Sequence, residues 1–121
     1  MNKKTVNFSE LTEMIRSFAK ARDWEQFHAP KNLAMALSAE AGELLEPFLW
    51  CETQDSHKLC ENPDKRAAIS GEIADVLIYA LRLSDVVGVD PVEAILAKLE
   101  CNERRYPVHK AKGSSAKYSE L

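Results

Sequence analysis

Leu11, Met14, Ile15 and Phe18 recur three and four residues apart, the spacing that lines up one face of an α-helix. Glu13, Arg16, Lys20 and Arg22 fall mainly on the other side, so this first predicted helix carries a single apolar stripe. Asn7 or Ser9 can cap it, and it should end near residues 21–23. Residues 1 to 7 are polar and are expected to be frayed. The connector DWEQFHAPKN then brings three large rings, Trp24, Phe27 and His28, into a chain otherwise poor in aromatics.

Pro30 suits the first turn of a second helix, where a missing N–H does no harm. That helix should run to about Cys51 and is apolar almost all round, through Leu33, Met35, Leu37, Leu44, Leu45, Phe48 and Leu49. Pro47 inside it removes one intrahelical bond and should kink it near Glu43–Glu46. Residues 52–61 show no period and read as an exposed loop. Asn62-Pro63 opens a third helix, to about Val87, with Gly88 as a left-handed cap residue. Asp90-Pro91 opens a fourth, to about Arg105, which Tyr106-Pro107 stops. No segment alternates like an amphipathic strand. The expectation is an all-α, four-helix-bundle-like subunit: one helical domain over residues 1–107, then a basic tail over 108–121, mobile or ordered against another surface.

Two predicted helices without a polar face leave more apolar surface than one small subunit can cover, which points to a symmetric homo-oligomer. The net charge of −3 gives no electrostatic reason for a nucleic-acid polymer as partner. The first residues, MNKKTVNFSELTEM, contain no apolar core of a leader, and no stretch approaches an uncharged membrane span. Three cysteines without CxxC spacing suit a reducing compartment. The expected setting is cytoplasmic, away from membranes.

The charges inside the two apolar helices are the anomaly. From Leu33 to Trp50 the only charged residues are Glu40, Glu43 and Glu46, and from Ala67 to Leu81 they are Glu72 and Asp75. At ~100° per residue, Asp75 falls about 60° from Glu72, with Tyr79 between them one turn on. Glu40 and Glu43 repeat the arrangement. If the two helices pack antiparallel, four carboxylates converge in one groove of the bundle. Two unit charges ~4 Å apart repel by about 4 kcal/mol at an effective dielectric of about 20, so such a set requires cations. An all-oxygen site favours Mg²⁺, with Mn²⁺ as the alternative, over zinc. A bland reading stands beside this one: acidic pairs at helical spacing often only decorate a solvated face.

Magnesium held by carboxylates commonly serves phosphate substrates. Lys98, Arg104 and Arg105 are candidate phosphate partners or simply a basic face near a helix end. Trp24 and Trp50 can stack a base, and are equally at home as core or interface anchors. A ferritin-like di-iron site expects Glu-x-x-His, and no His follows these acids at that spacing. Cys51, His57 and Cys60 match no standard zinc pattern.

At these residues the chain resembles the MazG-like all-α nucleoside triphosphate pyrophosphohydrolases, most closely the dCTP pyrophosphatase branch. The paired motifs are Glu40, Glu43, Glu72 and Asp75, set among FAKARDWEQFHAPKNLAMAL, EAGELLEPFLW, EIADVLIYAL, NERRYPVH and KYSEL in the branch's order. The resemblance runs from about Leu11 to Leu121. It implies hydrolysis of a deoxynucleoside triphosphate, dCTP or a modified dCTP, to monophosphate and pyrophosphate in nucleotide-pool cleaning. It implies that the four carboxylates bind Mg²⁺ and form the catalytic set. It implies Lys98 and Asn102 near phosphates and sugar, Tyr79 beside the metal, and Trp24 and Trp50 lining the base pocket with His28 nearby. Family assemblies are dimers or tetramers, and a dimer of dimers is the expectation here. The chain departs from the branch at Ile15, where some close relatives carry His, at Pro47, and at Ala39, where a stricter motif has Glu. The alternatives are a broader dNTP pyrophosphohydrolase, or a non-catalytic helical nucleotide-sensing or oligomerisation module.

Overall fold

The computed structural model describes residues 5–121; residues 1–4, the start of the segment expected to fray, lie outside the described residues. The architecture is all-helical, with no strand among the described residues. Helices α1 (Phe8–Ala21), α2 (Pro30–Leu45), α3 (Ser56–Leu59) and α4 (Pro63–Val87) form one compact unit up to Gly88. A second unit, Val89–Leu121, holds α5 (Pro91–Arg105) and α6 (Val108–Ala111). The four long helices, α1, α2, α4 and α5, are the four expected.

Local chemistry sets most of their ends. Asn7 Oδ1 accepts from the Glu10 N–H at 2.8 Å to start α1. Asn62 Oδ1 accepts from the N–H groups of Asp64 and Lys65 at 3.0 and 3.1 Å, with Pro63 in the first turn of α4. Asp90 does the same for α5. Each cap satisfies helix-start donors that would otherwise lack a partner. Gly88 terminates α4 in the left-handed region, at φ 73°. At the end of α1 that conformation falls to Asp23, at φ 54°. The N–H groups of Asp23 and Trp24 bond back to the carbonyls of Lys20 and Ala19, a Schellman ending. Its usual apolar contact is present as the Trp24 ring edge-on to Phe18, with centroids 5.7 Å apart.

The predicted second helix is shorter than its pattern suggested. It ends at Leu45 instead of reaching Cys51, and the chain tightens into a 3-10 turn over Glu46–Phe48. Pro47 has no N–H to give the Glu43 carbonyl, so the Glu46 N–H closes the last turn on that oxygen. Residues 52–61, read as a loop, contain a 3-10 turn at Thr53–Asp55 and the single turn of α3. Four residues are too few for a helical period to show. In the second unit, the 108–121 segment also has more local structure than expected. Besides α6, Tyr118 packs edge-on to Tyr106 at 6.0 Å, and the Arg105 guanidinium lies 4.7 Å over the Tyr118 ring.

In the first unit α2 packs along α4, with α1 also against α4. The direction is antiparallel. His28, just ahead of α2, bonds Arg82 near the end of α4, while Glu40 and Glu43, late in α2, meet Glu72 in its first half. Ala19, Leu33, Ile69 and Leu81 are the buried apolar side chains, drawn from all three helices. Met35 and Leu45 on α2, and Ile73, Leu77 and Ile78 on α4, stay exposed.

A Cβ at Gly88 would meet nothing within 4 Å, so only backbone strain opposes a side chain there. Gly88→Ala should therefore lower stability by about 1–2 kcal/mol, and Asp23→Gly should raise it by a smaller amount. Urea unfolding of both variants measures this; equal midpoints would contradict it.

Candidate metal centre

Along α2 and α4 the acids sit three residues apart, and antiparallel packing turns the two pairs toward each other. Glu40, Glu43 and Glu72 each place a carboxylate oxygen within 4.8 Å of the other two. Among the described residues this is the grouping of His, Cys, Asp and Glu side chains close enough to hold a metal. Asp75 lies outside that distance set, yet its charge acts on both Glu40 and Glu72. Glu46 has left the helix for the 3-10 turn and is exposed.

The cluster is electrostatically unsettled without a cation. Glu40 Oε2 and Glu72 Oε2 are shut off from solvent and have no hydrogen-bond partner. Desolvation, then the Glu43 carboxyl, then the charges of Asp75 and Glu72 push the Glu40 pKa up to about 7. Desolvation and the Glu43 charge raise Glu72 as well. Two orphaned buried oxygens in an all-carboxylate set fit a hard divalent cation, so Mg²⁺ or Mn²⁺ suits these residues. Unpartnered buried acceptors separate this cluster from a solvated acidic face.

The other expected site residues fall in several places. Tyr79 is half-buried on the face of α4 that carries Glu72 and Asp75. Trp24 is held by Phe18, whose ring also lies 3.6 Å beneath the Arg22 guanidinium. Trp50 follows the 3-10 turn and is 97% exposed, on the rim of a cavity of about 410 Å³ lined also by Glu46, Pro47, Glu52 and Lys65. His28 is half-buried and accepts a hydrogen bond at Nδ1 from Arg82 Nε, 2.9 Å away. Lys98 and Asn102 belong to the second unit, one turn apart on α5.

Sequence reasoning missed Arg82 and Asp85. Arg82 is the buried charged side chain of the described residues, 6% exposed, and also donates to Asp85 at 3.1 Å. Asp85 in turn accepts both prongs of Arg16 from α1, at 2.7 and 2.9 Å. Hydrogen bonding by Arg16 holds Asp85 below the usual carboxylate range against its partial burial. The only hint in the sequence is that Arg82 stands seven residues after Asp75, two helical turns along the same face.

An antiparallel helix pair with facing Glu-x-x-Glu and Glu-x-x-Asp motifs defines a class, and residues 35–121 match the MazG-like family. The chain belongs to that family. Among named relatives, dCTP pyrophosphatase 1 of Homo sapiens is 45% identical over 112 residues, covering 93% of this chain. The Bos taurus protein of the same name is 43% identical over the same length. The chain spans 66% of the length of these relatives. A pyrophosphatase of known crystal structure from Archaeoglobus fulgidus DSM 4304 superposes with a TM-score of 0.79 at 40% identity, covering 88% of this chain and 98% of its own.

The raised Glu40 carboxyl binds a proton more tightly folded than unfolded. Its stabilising contribution is complete below pH 4.5 and is lost as pH rises through about 7. Metal-stripped protein should therefore lose thermal stability between pH 5 and 8, in the direction Glu72 reinforces. Added Mg²⁺ should restore Tm at pH 8, and Glu40→Gln should flatten the pH dependence and shrink the Mg²⁺ increment. A metal-free Tm that climbs over this range would contradict the assignment.

Proposed function

We propose that this chain hydrolyses a deoxynucleoside triphosphate, dCTP or a modified dCTP, to the monophosphate and pyrophosphate, as a nucleotide-pool enzyme of the cytoplasm. The observation that carries the reading is the carboxylate cluster with its two orphaned buried oxygens, in a family whose relatives here are named dCTP pyrophosphatase 1. Glu40, Glu43, Glu72 and Asp75 would hold Mg²⁺, with Mn²⁺ as a substitute, and the cation there would supply charge neutralisation for the triphosphate and Lewis acidity toward a water.

The remaining work belongs to the chain's own residues. A carboxylate of the cluster accepts the proton of the attacking water as its oxygen bonds to the α-phosphorus. The bond from that phosphorus to the α–β bridging oxygen breaks, and pyrophosphate leaves. Tyr79 flanks the acids on α4. Trp24 and Trp50 supply flat faces for the base. In the second unit, Lys98 and Asn102 have the chemistry to meet phosphate and sugar oxygens.

The exposed apolar side chains of α2 and α4 favour a homo-oligomer, a dimer of dimers in this reading. Light scattering should give about four times the 13.6 kDa of one chain; a monomer at micromolar concentration would refute the assembly.

Incubation with each dNTP and Mg²⁺, with products resolved by ion exchange, should show monophosphate and pyrophosphate, fastest from dCTP. Release of diphosphate and phosphate would sink the bond assignment, and no release from any dNTP would sink the enzymatic reading. Glu72→Gln should lower kcat by roughly 10²–10⁴-fold while the oligomer stays intact. Full activity in that variant removes Glu72 from the catalytic set.

A further inference from the structure

The acidic face of α4 does not stop at Tyr79. Advancing ~100° per residue, Glu72, Asp75, Tyr79 and Arg82 fall within about 80° of one another, a single stripe along the helix. Arg82 closes that stripe about 10 Å beyond Asp75 and about 15 Å beyond Glu72. It is buried, and its Nε–H is spent on one acceptor, the Nδ1 of His28 at 2.9 Å. A ring nitrogen that accepts a hydrogen bond carries no proton, so the imidazole proton sits on Nε2.

We propose that Arg82 is a positioning residue: it fixes His28 as a neutral imidazole protonated at Nε2, and that N–H donates to an acceptor atom on the nucleoside end of the substrate. The proposal rests on the functional reading above and adds a residue to it. With the phosphates drawn to the carboxylates, a nucleoside extended along the same helical stripe would reach the place where Arg82 holds His28. A neutral N–H suits a base carbonyl or sugar oxygen better than a phosphate, which would draw a cation.

The surrounding charges keep the ring in this state. Arg82 faces it from α4 and Glu25 from the 3-10 turn just before it. Burial and the Arg82 cation hold His28 below the ordinary imidazole pKa, with Glu25 opposing. Arg82 is itself held: Asp85 takes its NH1 at 3.1 Å and is gripped from the other side by both prongs of Arg16. The chain of contacts runs from α1 through α4 to the entry of α2, so the ring's tautomer is set by three helices together.

Three measurements on the full chain test this. Nitrogen-15 NMR of the nucleotide-free protein at pH 7 should show His28 with a bare Nδ1 and a protonated Nε2, whatever the substrate. In Arg82→Met the tautomers should mix, and Arg82→Lys should restore the wild-type signature in part. With dCTP and Mg²⁺, His28→Phe should raise KM about tenfold, as for one lost hydrogen bond, with kcat within about twofold. The double variant should cost no more than His28→Phe alone, since Arg82 acts through the ring. A protonated Nδ1, an unchanged KM in His28→Phe, or additive losses in the double variant would overturn the proposal. If Arg82→Met fails to fold, His28→Phe and the wild-type spectrum still decide it. Wild-type protein that hydrolyses no dNTP sinks the functional reading and the ligand half of this proposal together; active wild type with an unaffected His28→Phe sinks this proposal alone.

Discussion

Like charges held together without a basic partner are the constraint on which this structure turns. Glu40, Glu43 and Glu72 face one another across the α2–α4 contact, and two of their oxygens lack any hydrogen bond. Such an arrangement is unfavourable on its own and must be imposed by packing elsewhere. The means are visible at the far end of the helix pair. Arg82, Asp85, Arg16 and His28 form the complementary network, in which Arg16 and Arg82 share the Asp85 carboxylate and the neutral His28 ring accepts from Arg82, and it ties α1 and the entry of α2 to the end of α4. One end of the antiparallel pair is knit by hydrogen bonds and the other is left unpartnered. The satisfied end sets the register that brings the acids together.

This division also explains how a lean core suffices. Among the described residues the buried apolar side chains are few and come from α1, α2 and α4, while much apolar surface on α2 and α4 remains uncovered. The fold of the first unit is specified by a small apolar centre, a bidentate ion pair and helix ends with defined caps. What covers the rest belongs to the proposed assembly. In that reading, burying those side chains adds the hydrophobic term that a single 13.6 kDa chain lacks.

Legibility in the sequence followed how local each signal was. Helix α4 is readable end to end because Asn62-Pro63 and Gly88 act within a turn of its boundaries. The paired acids are readable because their spacing alone places them on one face. The end of α2 is not: an interior proline reads equally as a kink or a stop, and the stop prevails where Leu49 and Trp50 find little to pack against. Which three of the four acids come within 4.8 Å depends on side-chain rotamers that no spacing rule contains. Arg82 is the hardest case, since its partner His28 lies 54 residues away and a lone basic residue in an apolar helix suggests nothing by itself.

The two tryptophans end up in opposite surroundings. Trp24 is edge-packed on Phe18 at the end of α1, whereas Trp50, just past the 3-10 turn, has 97% of its surface in water. An indole in water emits further to the red than a covered one. The chain thus carries its own optical reporter: whatever comes to lie on Trp50, a nucleobase or a neighbouring subunit, will announce itself as a change in intrinsic fluorescence, with no label attached.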